Sequence, residues 1–245
     1  MTVYLVGAGP GAADLLTVRA AALLARADVV VHDRLVSNEV LTLARGARLV
    51  DVGKVPGAGD VQASINELLV DLGRRHDCVV RLKGGDPFIF GRGAEEVEAL
   101  RDAGLEVEVV PGLSSVLAAP LLAGVPLTHR GAARGVVIVT ATERDGGANL
   151  RSLADPTLTI VVVMGVARRR AVAADLMAGG LSRDTPVAVV ERAGTPDQRV
   201  VRGVLERLGD LDVSAPAVII VGAVAGLDLG AVASPGTLCS LSSST

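Results

Sequence analysis

Short valine-rich runs alternate with helical patterns along the whole chain, and this alternation constrains the fold most strongly. Strands are predicted at residues 3–6, 29–31, 48–52, 78–82 and 106–110, with helices at 12–26, 61–75 and 93–103. In the second helix Ile65, Leu68, Leu69 and Leu72 form one apolar stripe. Near-continuous apolar strands are typical of sheets covered on both faces. We therefore predict an α/β fold with two domains, each built on a mostly parallel sheet flanked by helices.

A second block of the same kind begins near Arg130. Strands are predicted at 136–140, 158–164, 185–191 and 217–222, and a helix at 168–178. The turn at 194–197 predicts that residues 198–201 pair back as an antiparallel strand. The chain is thus divided into an N-terminal domain at 1–112, a linker helix and loop at 113–130, and a C-terminal domain at 131–230. The Ser-, Thr- and Gly-rich tail at 231–245 is predicted to be disordered.

Charge and composition exclude several classes of protein. The 245 residues carry a formal net charge of -3, so the basic excess typical of nucleic-acid binders is missing. The three histidines are scattered, and Cys78 and Cys239 have neither metal-ligand nor disulfide spacing. No apolar run is long enough to cross a bilayer, and the N-terminus shows no cleavage signal. We expect a cytoplasmic protein without a metal and without a nucleic-acid or membrane partner.

Residues 81–96, Arg-Leu-Lys-Gly-Gly-Asp-Pro-Phe-Ile-Phe-Gly-Arg-Gly-Ala-Glu-Glu, are the most informative stretch for function. They follow a buried-strand pattern, and the two glycines bring bare backbone to the edge of the sheet. Ligands of open α/β sheets bind outside the carboxyl ends of the strands. A plain turn with Asp86 capping a helix accounts for one glycine and the aspartate. It does not account for the Pro-Phe-Ile-Phe-Gly-Arg-Gly sequence that follows.

The Gly-Ala-Gly-Pro-Gly segment at 7–11 allows two interpretations beyond a simple tight turn. Gly7, Gly9 and Ala12 satisfy a loose dinucleotide-binding template. Asp33, after the second strand, would then hold a ribose hydroxyl. Pro10 opposes this interpretation, because it removes an amide donor where a pyrophosphate would need one. A ligand without a phosphate does not need that amide, so Pro10 is compatible with such a ligand. A dinucleotide oxidoreductase remains as an alternative.

Further segments carry residues that each have a purely structural interpretation as well as a functional one. Ser114 and Ser115, in Pro-Gly-Leu-Ser-Ser, could cap a helix. Lys54 and Arg130, in Gly-Lys and Pro-Leu-Thr-His-Arg, could be solvated surface residues, and Met164 could belong to the core. Together with residues 7–11, 33–37 and 81–96, these segments resemble the signature of the S-adenosylmethionine-dependent tetrapyrrole methylases. The resemblance extends from Val3 to about Leu227.

The resemblance implies a two-domain class III methylase fold and a methyl donor, S-adenosylmethionine. It implies that the substrate is uroporphyrinogen III, methylated at C2 and C7 to give precorrin-2 for the sirohaem or cobalamin branch. It also implies a homodimer. Cofactor contacts are expected at Pro10, Gly84, Gly85, Asp86, Ile89, Ser114, Ser115, Met164 and Gly194.

The same resemblance implies a proton acceptor at Asp33 and a proton donor at Lys54. Arg92, Glu95 and Arg130 match positions that contact the tetrapyrrole. Because a guanidinium stays protonated in proteins, Arg92 is expected to bind a substrate carboxylate rather than to act as a base.

Three positions depart from the family pattern. Ala94 replaces a frequent third glycine, Leu122 replaces a common tyrosine, and residues 140–143, Thr-Ala-Thr-Glu, replace Thr-Gly-His. These departures affect fine substrate contacts more than the class of reaction. The later precorrin methylases, a dinucleotide oxidoreductase and a non-catalytic binding protein on the same fold remain alternatives.

Overall fold

The structure is a computed structural model that describes residues 1–54, 61–142 and 149–230. The chain divides into two compact units, the first formed by Met1–Ser114 and the second beginning at Ser115. The predicted tail at 231–245 lies outside the described residues, as does Glu143 of the departing segment. No helix within the described ranges combines the length and the apolar character needed to span a bilayer.

The first unit is built on a five-stranded parallel sheet. Its strands are β1 Thr2–Gly7, β2 Val29–His32, β3 Arg48–Asp51, β4 Cys78–Lys83 and β5 Glu106–Val110. They lie in the order β3-β2-β4-β1-β5, and every neighbouring pair is parallel. Val3, Val30 and Val79 are fully buried, as expected for strands covered on both faces. All five carboxyl ends therefore meet at one edge of this sheet.

Four helices cover the two faces of this sheet: α1 Val18–Arg26, α2 Asn38–Leu41, α3 Val61–Gly73 and α4 Gly93–Asp102. Apolar side chains of α1 and α2 pack on one face, and those of α3 and α4 pack on the other. The predicted start of α1 at Ala12 is wrong. A 3-10 turn at Ala13–Leu15 comes first, and the Thr17 hydroxyl then accepts a hydrogen bond from Ala20 N at 3.2 Å. This N-cap makes the helix begin at Val18.

The second unit contains another five-stranded sheet. Its elements are α5 Ser115–Leu122, β6 Gly135–Thr140, β7 Leu158–Val163, α6 Arg169–Ala178, β8 Pro186–Glu191, β9 Arg199–Val204 and β10 Ala217–Val221. The strand order is β6-β7-β10-β8-β9. The antiparallel return predicted after the turn at 194–197 is confirmed, since β9 pairs antiparallel with β8.

The predicted mostly parallel sheet is wrong for this second unit. Among its described strands, β6 and β7 form a parallel pair, whereas β10 is antiparallel to both β7 and β8. The valine-rich pattern reports burial on both faces and carries no information on strand direction. The short link from β8 to β9 can join only antiparallel neighbours. Because β10 lies between β7 and β8, these two strands and β6 point the same way.

Candidate active site

Three loops at the carboxyl edge of the first sheet pack against one another at their glycine residues. Gly7 ends β1, Gly85 follows β4 and Gly112 follows β5. A Cβ built on Gly112 would lie 2.2 Å from Gly85 O and 2.6 Å from Gly7 Cα. One built on Gly7 would lie 2.4 Å from Gly112 Cα. Since both contacts are with backbone, no side chain fits at either position, and three loops meet there without an intervening side chain. We call these loops, with residues 33–37 after β2, the rim.

The β1 and β4 loops of the rim are paired through their backbones. Gly85 N donates to Gly9 O at 2.9 Å, and Gly9 N donates to Gly85 O at 3.2 Å. Ala8 N donates to Lys83 O at 2.7 Å. These amides are therefore satisfied within the protein, and Pro10 has none to offer. A pyrophosphate needs free amides at such a loop, so the geometry opposes the dinucleotide interpretation.

Asp86 ties the β4 loop to the β5 loop. Its Oδ1 accepts a hydrogen bond from Phe88 N at 2.9 Å, and its Oδ2 accepts one from Gly112 N at 3.1 Å. The purely structural interpretation of Asp86 as a helix cap is wrong, because α4 begins only at Gly93. Asp86 thus holds the rim loops together at the position where a cofactor contact is predicted.

The segment after Asp86 is exposed, apolar and backbone-strained. Phe88, Ile89 and Phe90 have exposed fractions of 55%, 42% and 46%. Phe90 and Arg92 have φ values of 52° and 55°, a region that non-glycine residues rarely adopt. Such strain clusters at ligand-binding sites. Arg92 pairs with Glu95, its Nε and Nη2 donating to the two carboxylate oxygens at 2.8 and 2.6 Å. The structure therefore brings the two predicted substrate contacts together at the start of α4.

Asp33 lies beside Gly84 at the same edge. Its Oδ1 accepts from Leu35 N at 3.0 Å, and a Cβ on Gly84 would lie 3.8 Å from that oxygen. Its Oδ2 lies 3.9 Å from Arg81 Nη2, and its side chain is 30% exposed. Asp33 is thus both fixed in place and accessible. Lys54 ends a 3-10 helix that follows β3, but its side chain lies outside the described residues.

Sequence reasoning missed a buried charge cluster behind Asp33. Arg81 and Lys83 lie on β4 and are nearly fully buried, and Glu96 on α4 is completely buried. Glu96 accepts from Arg81 Nε at 3.0 Å and from Lys83 Nζ at 2.8 Å. Burial and the Arg81 charge lower the pKa of Lys83, while Glu96 opposes that shift. The available signal was the alternation of two cations along an otherwise apolar strand.

The second unit places two of the predicted cofactor positions at one edge of its sheet. Met164 follows β7 and Gly194 follows β8, and these strands point the same way. Met164 is 51% exposed, so the purely structural interpretation as a core residue is wrong. Its φ of 53° is a strained value of the kind found at binding sites. Gly194 has a φ of 75°, and its N–H donates to Gln198 Oε1 at 3.0 Å.

The remaining predicted positions are less closely grouped. Arg130 is an exposed turn residue, and its segment is bound at the amino end of β7, where Thr159 Oγ1 donates to Leu127 O at 2.7 Å. It therefore does not join Met164 at the carboxyl edge. Ser114 and Ser115 fall on either side of the division between the units. Ser114 is buried after β5, and Ser115 is the first residue of α5.

The Gly194 loop is supported by a buried carboxylate at the end of β8. Glu191 is completely buried and accepts from Arg199 Nε at 2.5 Å and from Ser214 Oγ at 3.0 Å. Ser214 N donates to the same carboxylate. The Arg199 hydrogen bond, with help from Ser214 and against the opposing effect of burial, lowers the pKa of Glu191 to about 2.

Replacing Glu191 with glutamine is expected to lower the free energy of unfolding at pH 7 by about 2 kcal/mol, because Arg199 loses its buried anionic partner and keeps only the exposed Asp212. The depressed pKa means that this contribution is complete above the ordinary value of 4.5 and is lost as the pH falls through about 2. Urea titrations of Glu191→Gln and the wild type should therefore converge at low pH. The surface pair of Glu206 with Arg183 supplies a control, Glu206→Gln, expected to cost under about 1 kcal/mol. A constant gap at every pH would contradict the ionic role.

Within the described ranges, no group of three or more His, Cys, Asp or Glu side chains could hold a metal ion. Cys78 is partly buried, and burial raises the pKa of its thiol. Because the thiolate is the nucleophilic form, this side chain is poorly suited to covalent catalysis. Cys239 lies outside the described residues.

Comparisons with known proteins agree with this geometry. Residues 2–209 match the family model of the tetrapyrrole (corrin/porphyrin) methylases. Siroheme synthase from Pseudoalteromonas atlantica is 47% identical over 233 residues, which cover 92% of this chain and 50% of that protein. The chain thus spans about half the length of the curated relatives that it matches.

Two methyltransferases are among the solved structures that share the fold. Uroporphyrin-III C-methyltransferase from Thermus thermophilus, in complex with S-adenosylhomocysteine, is 47% identical with a TM-score of 0.82, covering 91% of this chain and 98% of that one. A cobalt precorrin-4 methyltransferase is 31% identical with a TM-score of 0.80, covering 90% and 94%. These matches confirm the predicted class III methylase architecture. The chain belongs to the tetrapyrrole (corrin/porphyrin) methylases, a family of methyltransferases.

Proposed function

We propose that the protein transfers methyl groups from S-adenosylmethionine to C2 and then C7 of uroporphyrinogen III. The products would be precorrin-2 and two molecules of S-adenosylhomocysteine, in the sirohaem or cobalamin branch of tetrapyrrole biosynthesis. The observation that carries this proposal is the rim, with its glycine-to-glycine packing, its internally paired amides and Asp33 beside Gly84. A relative with 47% identity is named uroporphyrin-III C-methyltransferase and is solved in complex with S-adenosylhomocysteine, the demethylated donor.

The rim is suited to a cationic donor without a phosphate. Its amides at Ala8 and Gly9 are already bonded, so an anion would find few donors there. Carboxylates near the rim favour a sulfonium or an α-amino group electrostatically. The resemblance supports Pro10, Gly84, Gly85, Asp86, Ile89, Ser114, Ser115, Met164 and Gly194 as the residues proposed to contact the donor.

Arginine is the suitable residue for the acetate and propionate groups of the substrate, since it binds carboxylates in bidentate geometry. Arg92 already forms such a pair with Glu95, and both side chains are about half exposed. A substrate carboxylate could therefore exchange with Glu95 at the surface without breaking a buried pair. Arg130 is proposed as a second carboxylate contact on the strength of the resemblance alone.

The proposed reaction needs no covalent intermediate with the protein. Bound S-adenosylmethionine would supply a methyl group already activated as a sulfonium, and the pyrrole carbon is electron-rich. The protein has to hold the two reactants in a near-attack geometry. It also has to take up a proton that leaves the macrocycle, and the accessible Asp33 carboxylate is proposed as the acceptor. Lys54 is proposed as the donor. The homodimer and the cytoplasmic location stay predictions.

The decisive experiment supplies the purified chain with enzymatically made uroporphyrinogen III and S-adenosylmethionine under reducing conditions. We expect a product that has gained two methyl groups by mass spectrometry, with two S-adenosylhomocysteine formed per macrocycle. Parallel titrations with S-adenosylhomocysteine and NAD separate the alternatives. Binding of NAD alone would favour the oxidoreductase, and donor binding without any methylated product would favour a binding protein or a later precorrin methylase.

A further inference from the structure

The buried cluster behind Asp33 shares one carboxylate between two cations. Glu96 binds Arg81 through Oε1 and Lys83 through Oε2, at 3.0 and 2.8 Å. Gln62 Nε2 donates to the same Oε1 at 3.3 Å. The carboxylate has no exposed surface, and these three partners hold it within the protein.

The Arg81 guanidinium is held on several sides. Its Nε is taken by Glu96, and its Nη1 donates to the carbonyl oxygens of Leu82 at 3.2 Å and Val31 at 3.4 Å. Its Nη2 faces Asp33 Oδ2 at 3.9 Å, which is an ion-pair distance but too long for a hydrogen bond. The guanidinium is therefore near Asp33 without binding it directly.

This separation bears on the proposed role of Asp33 as a proton acceptor. A carboxylate that arginine binds in bidentate geometry is strongly stabilised in its ionised form and accepts a proton poorly. Arg81 is permanently charged, so only its distance from Asp33 can be adjusted. A bidentate pair through Nη2 would need either Nε or Nη1 as well. Glu96 occupies Nε, and the two backbone carbonyl oxygens occupy Nη1.

We propose that Glu96 is a positioning residue: by binding Arg81 and Lys83 it keeps the guanidinium from forming a hydrogen-bonded, bidentate pair with Asp33, so that Asp33 can accept the proton from the macrocycle. This inference rests on the proposed function. The cluster is poorly explained by stability alone, because buried ion pairs often contribute no more than apolar residues of similar size. It also lies at the carboxyl end of β4, directly before the Gly84–Asp86 part of the rim.

The charged and titratable groups around Asp33 come from several elements. Those in the described residues are His32 on β2, Arg34 beside it, Asp51 at the end of β3, Arg81 and Lys83 on β4, and Glu96 on α4. Glu96 and Lys83 carry opposite charges at similar depth. Their removal should therefore displace the pH dependence of catalysis in opposite directions.

The test measures kcat against pH for Glu96→Gln and Lys83→Met. In Glu96→Gln, Arg81 is left with Asp33 as its anionic partner, so kcat should fall about tenfold and its acid limb should move to lower pH. In Lys83→Met a buried cation is removed, so the acid limb should move to higher pH. KM for S-adenosylmethionine should stay within about twofold in both variants. Glu98→Gln, an exposed change on the same helix, should match the wild type.

Opposite displacements support the inference, because a loss of structure would not reverse sign between the two variants. Acid limbs that stay in place or move together would overturn it. If Glu96→Gln does not fold, Glu96→Asp decides, because the shorter side chain keeps the charge but withdraws it from Arg81 Nε; an acid limb that fails to move to lower pH in that variant refutes the inference. The proposed function fails separately, when the wild type itself forms no methylated product. An active wild type with unmoved limbs leaves that function intact and removes only the role of Glu96.

Discussion

Replacing Gly112 with alanine is expected to lower the free energy of unfolding of the first unit by about 3 kcal/mol and to abolish binding of S-adenosylhomocysteine. The new Cβ would lie 2.2 Å from Gly85 O and 2.6 Å from Gly7 Cα. Both obstacles are backbone atoms at strand ends, so relief requires the β1, β4 and β5 loops to move apart. That movement would also break the bond from Gly112 N to Asp86. Urea denaturation and isothermal titration calorimetry measure the two effects.

A matched glycine substitution separates this packing from the general effect of changing glycine. A Cβ on Gly46, in an exposed turn, meets no atom within 4 Å. Gly46→Ala should therefore change stability by less than about 0.5 kcal/mol and leave binding intact. A Gly112→Ala variant with the wild-type unfolding midpoint and affinity would show that the rim loops do not need close backbone contact.

Replacing Asp33 with asparagine is expected to lower kcat by about 10² to 10⁴ while the affinity for S-adenosylhomocysteine stays nearly unchanged. The amide oxygen can still accept the hydrogen bond that Leu35 N gives to Asp33 Oδ1, so the loop should keep its conformation. What is lost is the ability to take up a proton. Single-turnover methylation and calorimetric titration test the two halves of this expectation.

The control for this variant is Asp77→Asn. Asp77 is exposed and directly precedes β4, at the opposite end of that strand from the rim. Its replacement should leave both turnover and binding at wild-type values. Full turnover by Asp33→Asn would remove this residue from the mechanism. A parallel loss of S-adenosylhomocysteine binding would instead assign Asp33 to the cofactor site.

Much of the first unit could be predicted because its information is local. Apolar runs flanked by glycine mark strand ends, and parallel strands bring their carboxyl ends to one edge of the sheet, which is where Gly7, Gly84 and Asp33 lie. The contacts of Glu96 could not be predicted in the same way. A glutamate in the first turn of a helix is ordinarily a solvated residue, and only the packing of α4 on β4 buries it against Arg81 and Lys83.

By itself, the sequence determined which segments are buried, where the backbone must be free of side chains, and to which family the loop motifs belong. Those properties depend on residues close together in the chain. Only the tertiary structure decided that β10 runs antiparallel between β7 and β8, that Gly7 and Gly112 meet backbone to backbone, and that Asp86 spans two loops. Each of these depends on contacts between residues far apart in the chain. Local hydrophobic pattern reports burial, and it does not specify which distant surface provides it.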